Sequence, residues 1–271
     1  MRNVDNRVVV ITGAGSGIGR SLAVLCARRG AKLALCDVND EGLAETQAAC
    51  NGAQVLTEHV DVSDRAAVEA FRDHVAEHYG RVDLVINNAG VAHSQTVEDA
   101  TYEDFEWIMG INFWGVVHGT KAFLPLLRQR KGTAVVNVSS VFGIISVPTQ
   151  ATYNASKFAV RGFTEALRHE TAGSGLHVMC VHPGGIKTNI ARSARYYVGP
   201  DGKENHDEAA DFFDKITRTT PDQAAAKILK DLGKKRGRCL IGPDAVAISA
   251  IARSAPESYW SLMSRLMPKG D

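Results

Sequence analysis

The 271-residue sequence predicts an α/β fold, a doubly wound sheet of seven mainly parallel strands with helices on both faces. Short apolar segments recur along the chain, and segments with helical apolar spacing separate most of them. This alternation is typical of right-handed crossovers between parallel strands of one buried sheet. No change of composition marks a second domain, so we expect a single domain over residues 1–271. The predicted strands cover residues 8–11, 33–36, 54–60, 82–86, 133–138, 177–181 and 238–241.

Charge and cysteine content exclude several classes of protein. Lys and Arg number 31 and Asp and Glu number 30, so the net charge favours neither nucleic acid nor an acidic partner. The five cysteines lack metal-ligand spacing and mostly lie in or beside apolar segments, which predicts buried, reduced thiols and no metal site. No signal-peptide pattern and no apolar stretch of 18 residues occurs. We therefore expect a cytoplasmic protein without a transmembrane segment.

The first predicted strand leads into a glycine-rich turn, which is followed by a predicted helix. Small residues in such a turn let the backbone approach a pyrophosphate, and the helix N-terminus supplies N–H groups and the positive end of a dipole. The strand–turn–helix context predicts dinucleotide binding, although the glycine spacing differs from GxGxxG. The residues predicted to bind are Gly13, Ser16, Gly17, Ile18 and Gly19.

Asp37 ends the second predicted strand, Leu33–Cys36. A carboxylate at this place can accept hydrogen bonds from the adenosine ribose hydroxyls and would repel a 2′-phosphate. Val38, Asn39 and Asp40 supply no cation that could bind such a phosphate. Asp37 therefore predicts NAD as the cofactor rather than NADP.

Tyr153 and Lys157 lie four residues apart in a segment with helical apolar spacing. Their side chains converge on one helix face, and a nearby ammonium is expected to lower the phenol pKa. A phenol tuned in this way can exchange a proton near neutral pH, as carbonyl–alcohol interconversion requires. Alone, the pair also fits a solvated helix face, but the dinucleotide turn upstream favours the catalytic interpretation.

Further motifs accompany this pair along the chain. In sequence order the set is Thr12–Gly19, Asp61 with Val62, Asn87–Gly90, Asn112, Ser140, Tyr153 with Lys157, and Pro183–Thr188. Together they resemble the short-chain dehydrogenase/reductase family, from about residue 5 to about residue 190. The resemblance implies a Rossmann-type fold with the cofactor at the carboxyl ends of the strands.

The resemblance also implies roles for individual residues. Ser140 would bond the substrate oxygen, Tyr153 would exchange the proton, Lys157 would bind the nicotinamide ribose, and Asn112 would hold a water that links Lys157 to solvent. The neighbouring Ser139 is chemically identical, and only the family's spacing to the tyrosine selects Ser140. Asn112 also fits a satisfied core amide. Further cofactor contacts implied by the resemblance are Asp61, Val62, Asn88, Ala89, Gly90, Pro183, Gly184, Ile186 and Thr188, together with Tyr153 and Lys157.

Three local interpretations remain beside these roles. Ser63 or Asp64 could cap a helix next to Asp61, and Asn87–Gly90 could be a simple turn. His182 precedes a proline at the end of a strand, and we assign it no catalytic role.

Residues 189–216 are polar, and we expect them to form an irregular substrate lid. The opposite wall of the pocket would be apolar, which predicts a ketone or secondary alcohol such as a steroid-like or retinoid-like molecule. The wall residues are Phe142, Ile144, Ile145, Val147 and Pro148, and the substrate prediction rests on these together with His93, Tyr196 and Tyr197.

The tail, residues 243–271, predicts a helical extension with an apolar stripe of Tyr259, Leu262, Met263 and Leu266. The stripe could pack on its own domain, at a membrane surface or on a second subunit. We favour the second subunit, and thus a homodimer or homotetramer.

These patterns together predict an NAD-dependent oxidoreductase that transfers a hydride between nicotinamide and an apolar secondary alcohol or ketone. Two alternatives remain: an NADPH-dependent reductase of acyl thioesters or other ketones, and a dinucleotide-sensing protein without turnover. Asp37 and the tail weigh against the first. The set of Asn112, Ser140, Tyr153 and Lys157 weighs against the second.

Overall fold

A computed structural model describes residues 3–200 and 202–264. Its centre is a seven-stranded sheet with the order β3-β2-β1-β4-β6-β7-β9, and every neighbouring pair of strands is parallel. The predicted α/β fold is confirmed. The strands are β1 (Val8–Thr12), β2 (Lys32–Asp37), β3 (Val55–His59), β4 (Leu84–Asn87), β5 (His93–Ser94), β6 (Ala134–Val138), β7 (His177–Pro183), β8 (Arg195–Tyr196) and β9 (Arg238–Ile241).

Helices cover both faces of this sheet. They are α1 (Gly17–Ala27), α2 (Asp40–Ala49), α3 (Arg65–Tyr79), α4 (Tyr102–Met109), α5 (Gly115–Arg128), α6 (Ala151–Glu170), α7 (His206–Ile216), α8 (Pro221–Gly233), α9 (Pro243–Ser254) and α10 (Tyr259–Met263). None of the helices within the described residues is both long and apolar enough to cross a membrane.

The core has two layers because successive side chains of a strand point to opposite faces. Val9 and Ile11 of β1 pack in one layer with residues of α1 and α8. Val8 and Val10 pack in the other layer with residues of α3 and α5. Burial on both faces explains why the central strands read as continuous apolar segments.

The order of the strands reverses beside β1, which pairs with β2 on one side and with β4 on the other. Ligands of such sheets bind outside the carboxyl ends of the strands at this reversal. The glycine turn after β1 and the Asn87–Gly90 segment after β4 therefore meet at one edge.

Three local features differ from the sequence prediction. Gly110–Trp114, between α4 and α5, forms a π-helical turn, a geometry frequent at functional sites. β5 and β8, which were not predicted, form a separate parallel pair. Residues 206–216 are helical rather than irregular, because Asn205 caps α7 and Asp207 and Glu208 occupy its first turn.

Within the described residues the tail forms α9 and α10. The Tyr259 hydroxyl accepts a hydrogen bond of 2.9 Å from the backbone N–H of Ser146. Tyr259 therefore packs on its own domain. Leu266, predicted to complete the apolar stripe, lies outside the described residues.

Candidate active site

The turn between β1 and α1 brings backbone atoms very close together. Gly13 and Gly17 have φ values of +64° and +51°, which favour glycine. A side-chain carbon on Gly13 would lie 2.7 Å from the Cα of Ala89. Ser16 precedes α1 in an extended conformation, and its side chain makes no capping hydrogen bond. The first turn of α1 thus presents N–H groups that Ser16 does not cap.

Thr12 and Asn88 connect this turn to the end of β4. The Thr12 hydroxyl oxygen accepts hydrogen bonds from the backbone N–H groups of Asn88 and Ala89, at 3.0 and 3.1 Å. The Asn88 amide donates to the carbonyl groups of Thr12 and Gly13, both at 3.0 Å. The side chain of Asn88 therefore stabilises the glycine turn. Thr12 follows the first predicted strand and is the last residue of β1, but its role was not predicted from the sequence.

Asp37, at the end of β2, lies beside the glycine turn. One carboxylate oxygen accepts from the N–H of Gly15 at 2.7 Å, and the other accepts from the N–H of Asn39 at 2.9 Å. Each oxygen retains the capacity to accept a further hydrogen bond. The nearby Arg20 side chain pairs with Glu45 at 2.7 Å and donates to the carbonyl of Gly15.

Asp61 and Val62 follow the end of β3. The exposed Asp61 carboxylate accepts hydrogen bonds from the backbone and the hydroxyl of Ser63, at 2.8 and 2.7 Å. Asp64 caps α3 through the N–H groups of Ala66 and Ala67. The local capping role weighed in the sequence analysis therefore belongs to Asp64, and Asp61 shapes the turn that presents Val62.

Tyr153 and Lys157 converge on one face of α6, as predicted. The Lys157 ammonium lies 5.5 Å from the centre of the Tyr153 ring, and both side chains are buried. The ammonium also lies 3.4 Å from the carbonyl of Val138 at the end of β6. α6 therefore carries the candidate proton donor to the carboxyl edge of the sheet.

The structure separates the roles of the two serines after β6. The Ser139 hydroxyl donates to the carbonyl of Lys157 at 2.8 Å, which is a structural contact with α6. The Ser140 hydroxyl accepts from the N–H of Phe142, and its interaction with the phenol lowers the pKa of Tyr153. Ser140 therefore lies beside the phenol, where the family spacing predicts it.

The expected lowering of the Tyr153 pKa is wrong. Burial raises the pKa of Tyr153 to about 12, although the hydrogen bond with Ser140 lowers it. Burial also lowers the pKa of Lys157 to about 8. Both side chains are enclosed by protein, so desolvation disfavours the charged form of each and outweighs their mutual attraction.

Asn112 lies in the π-helical turn and is fully buried. Its amide oxygen accepts from the N–H of Val91 at 2.8 Å, and its NH2 group donates to the carbonyl of Val91 and the hydroxyl of Ser156, both at 3.0 Å. A side-chain carbon on Gly90 would lie 3.0 Å from this oxygen and 3.1 Å from Nζ of Lys157. Asn112 is thus a satisfied core amide that also lies near Lys157.

The segment after β7 is held in place by a residue that sequence reasoning missed. The carboxylate of Asp244, in the first turn of α9, accepts from the N–H of Gly185 at 2.6 Å. A side chain on Gly184 would collide with the same carboxylate. Ile186 is buried, and a side-chain carbon on Gly17 would lie 3.1 Å from Cγ2 of Thr188. Thr188 therefore reaches the glycine turn.

His182, in β7, supports the same edge of the sheet. Its Nδ1 donates to the carbonyl of Ser140 at 2.9 Å, and burial lowers its pKa to about 4. His182 is therefore neutral and positions the backbone of Ser140. No sequence pattern predicts this contact.

The walls of the expected pocket are only partly as predicted. The Phe142 ring packs edge-on against Tyr153, with centroids 6.1 Å apart. Val147 and Pro148 instead line a groove with Asn154 and Phe158, which helical spacing places on another face of α6. His93 is fully buried and hydrogen-bonded to the Thr152 hydroxyl, so its side chain does not line an open pocket.

The remaining wall residues differ in exposure. Ile145 is fully buried and Ile144 half-buried. The Tyr196 ring stacks on His206, and the Tyr197 ring packs on His93.

Comparison with known proteins identifies the family. The family model described as short chain dehydrogenase matches residues 7–197. The chain belongs to the short-chain dehydrogenase/reductase family. It is accordingly an oxidoreductase, and a relative from Mycobacterium tuberculosis named "Putative oxidoreductase SadH" is 46% identical over 269 residues, which cover 97% of this chain and 96% of the relative.

Solved structures of the family share the fold. A short-chain dehydrogenase/reductase from Burkholderia phymatum in complex with NAD has a TM-score of 0.86 and 31% identity, and the match covers 100% of this chain and 99% of that chain. The structure of levodione reductase has a TM-score of 0.81 and 33% identity, with 92% and 100% covered.

Proposed function

We propose that this short-chain dehydrogenase/reductase oxidises an apolar secondary alcohol, or reduces the corresponding ketone, with NAD as its cofactor. The observation that carries the proposal is the convergence of Ser140, Tyr153 and Lys157 at the carboxyl edge of the sheet. A phenol, a hydroxyl and an ammonium at one place suit proton exchange with a carbonyl oxygen.

The glycine turn and its neighbours fit a nicotinamide dinucleotide. Gly13, Gly17 and the uncapped first turn of α1 suit a pyrophosphate, and Thr188 lies against the turn. Asn88, Ala89 and Gly90 lie on the opposite side of the glycine turn. When bound, the cofactor supplies the hydride acceptor or donor. The family's NAD-bound member from Burkholderia phymatum supports this assignment.

Asp37 supports NAD rather than NADP. Its two oxygens face the turn, where they can accept hydrogen bonds from ribose hydroxyls and would repel a 2′-phosphate. Arg20 is the cation next to this site, and Glu45 already neutralises it. A phosphate group would therefore meet a carboxylate without a free cation beside it.

The protein groups divide the proton chemistry among themselves. In the reductive direction the neutral Tyr153 phenol donates a proton to the developing alkoxide, while the Ser140 hydroxyl donates a hydrogen bond to the same oxygen. In the oxidative direction Tyr153 accepts the proton, for which its pKa must fall below about 12. A charged Lys157 favours this fall, since a nearby cation stabilises the phenolate.

The substrate class follows from the surroundings of Tyr153. The Phe142 ring packs on the phenol, and the partly exposed Ile144 follows in the same wall. A levodione reductase among the structural relatives supports a carbonyl compound as substrate. We therefore favour an apolar ketone or secondary alcohol over an acyl thioester.

We further propose a homo-oligomer in the cytoplasm. Trp114 and Phe158 are large apolar side chains that remain 50% and 39% exposed on the single chain, as expected of a face that packs on a second copy. All five cysteines are free and buried, which is typical of a reducing compartment.

Replacement of Tyr153 by Phe tests the proposed chemistry. Wild type is incubated with NAD and 1-phenylethanol, 2-octanol or cyclohexanol, and NADH formation is followed by absorbance. We expect turnover with at least one alcohol and a loss of about 10²- to 10⁴-fold in Tyr153→Phe, because the proton acceptor is removed. NADH binding, measured by fluorescence, should remain.

Tyr102→Phe is the matched control, because that tyrosine is 86% exposed. Full activity of Tyr153→Phe would contradict the proposed acid–base role. NADH binding without turnover of any alcohol or ketone would favour the sensor alternative, and turnover of an acyl thioester with NADPH would favour the reductase alternative.

A further inference from the structure

The lid segment is attached to the body of the domain through β8. This strand pairs with β5 in parallel, and the N–H of Arg195 donates to the carbonyl of Ala92 at 3.1 Å. The N–H of Tyr197 donates to the carbonyl of Ser94 at 2.9 Å, and the Ser94 hydroxyl donates to the carbonyl of Val198 at 2.6 Å. β8 is therefore a defined contact of the lid with the segment that follows the Asn87–Gly90 motif.

The side chain of Arg195 extends this contact to α4. Its guanidinium donates to the carboxylate of Asp104 at 3.1 Å and lies 3.8 Å from the centre of the Trp107 ring. Asp104 and Trp107 are one helical turn apart, so they form a pocket for a planar cation. The Arg195 side chain is 45% exposed, whereas that of Asp104 is 7% exposed. The Arg195 guanidinium can therefore move out into solvent, whereas the Asp104 carboxylate stays buried.

Asp104 also connects the contact with Arg195 to α6, the helix that carries Tyr153. Its second oxygen lies 3.4 Å from Nε2 of the fully buried His93. Nδ1 of His93 lies 2.8 Å from the hydroxyl of Thr152. Within the described residues Nε2 of His93 has no hydrogen-bond partner, so its contact with Asp104 is electrostatic, whereas Nδ1 shares a hydrogen bond with the Thr152 hydroxyl. Thr152 directly precedes Tyr153 in the first turn of α6.

We propose that Arg195, Asp104, His93 and Thr152 are positioning residues that attach the lid to α4 and couple its attachment to the placement of Tyr153. The proposal rests on the function proposed above, because it assigns Tyr153 as the acid–base group. The four residues come from four separate segments and meet through polar contacts. None of them has a catalytic role in this proposal, since each acts through another residue.

The attachment step is tested without substrate. Trp114→Phe and Trp260→Phe together leave Trp107 as the single tryptophan of the chain. In this background, Arg195→Ala should shift the Trp107 emission to longer wavelength, because the ring loses its cover. Trypsin cleavage after Lys203, in the lid beyond β8, should be about fivefold faster.

Arg192→Ala is the matched control. Arg192 also lies in the lid, but its partners Asp211 and Asp214 belong to the lid helix α7. This variant should leave the Trp107 emission unchanged, and Arg195→Lys should restore part of the protection because the cation returns. Asp104→Asn, which keeps the size of the side chain, should behave like Arg195→Ala.

The coupling step is tested with Thr152→Val. The variant removes the hydrogen bond to His93 but leaves the contact of Arg195 with Asp104. Emission and cleavage should equal those of wild type, while kcat with the alcohol found above should fall several-fold at an unchanged KM. Arg195→Ala should instead raise KM several-fold, since the lid is released. Thr152→Ser should restore kcat, because it returns the hydroxyl.

Failure of each step is recognisable. Equal emission and cleavage rates in Arg195→Ala and Arg192→Ala would overturn the attachment. Wild-type kcat in Thr152→Val would overturn the coupling. If no alcohol is turned over by wild type, the proposed function fails, but the emission and proteolysis results still decide the attachment.

Discussion

Tyr153 and Lys157 occupy one buried place, and burial affects their proton affinities in opposite directions. It raises the pKa of the phenol to about 12 and lowers that of the ammonium to about 8. At neutral pH the phenol is protonated, and the lysine is charged at a cost in desolvation. The buried charge of Lys157 therefore lowers the stability of the folded protein, as is common where function requires a buried charge.

Lys157→Met should raise the stability of the protein and abolish turnover. The substitution removes the buried charge and keeps an apolar stem of similar length, so we expect about 1 kcal/mol more free energy of unfolding at pH 7. Urea denaturation measures this difference.

The pH dependence of the same comparison has a defined sign. The folded-state pKa of Lys157 lies below the ordinary lysine value of 10.5, so the unfolded chain binds more protons between about pH 8 and 10.5. Wild type should gain stability relative to Lys157→Met across this window as the pH rises. Lys121→Met, outside the site, is the control, and a lower stability of Lys157→Met at pH 7 would contradict the account.

The placement of Lys157 beside Tyr153 was predictable from the sequence, whereas the pKa of the Tyr153 phenol was not. Spacing of four on a helix places Lys157 beside Tyr153 whatever the surroundings. The pKa values depend on enclosure by β6, the Ser140 segment and α6, which are distant in sequence. The same reason separates Ser139 from Ser140, because only the folded chain shows which hydroxyl bonds the carbonyl of Lys157.

β7 and the segment after it act as a support for the site. His182 of β7 donates to the carbonyl of Ser140, and Asp244 of α9 accepts from the N–H of Gly185. Both contacts join elements that are far apart in the chain. The sequence shows a strand that ends at Pro183 and glycines after it, but not which side chains fix their position.

His182→Asn should reduce the sensitivity of the protein to acid. Burial holds the folded-state pKa of His182 at about 4, below the ordinary histidine value of 6.5, so the unfolded chain binds more protons between these two pH values. Stability is therefore lost as the pH falls from 6.5 to 4, by about 2 kcal/mol for this group. Asn can still donate to the Ser140 carbonyl and does not titrate.

Urea denaturation at pH 7 and pH 4.5 measures this effect. The difference between the two pH values should be smaller in His182→Asn than in wild type. The exposed His169→Asn serves as the control and should keep the wild-type difference. An unchanged difference in His182→Asn would show that His182 is not the buried neutral group described above.

At the level of elements, regular features were predictable and irregular ones were not. The seven strands were predicted because their apolar segments are short and are mostly separated by segments with helical apolar spacing. The π-helical turn at Asn112 has ordinary helical spacing in sequence, so periodicity alone cannot distinguish it from α-helix. β5 and β8 contain two residues each, too few for any pattern, and they pair only because the lid folds back.

The whole molecule presents its functional groups at one edge because the sheet is parallel and its order reverses beside β1. Five features lie at the carboxyl ends of strands or just after them: the glycine turn, Asp37, the Asn87–Gly90 segment, Ser140 and the Pro183–Thr188 segment. This convergence was predictable, since a parallel sheet brings such ends together. The route of the lid was not, because it depends on the contact of Arg195 with α4.

A fluorescence titration with NADH and NADPH, on wild type and Asp37→Ala, tests the central claim most directly, because it requires no substrate. We predict that wild type binds NADH about tenfold or more tightly than NADPH, and that Asp37→Ala narrows this difference, since the carboxylate that binds the ribose and repels the 2′-phosphate is lost. Tighter binding of NADPH by wild type, or no binding of either dinucleotide at micromolar concentration, would contradict the account.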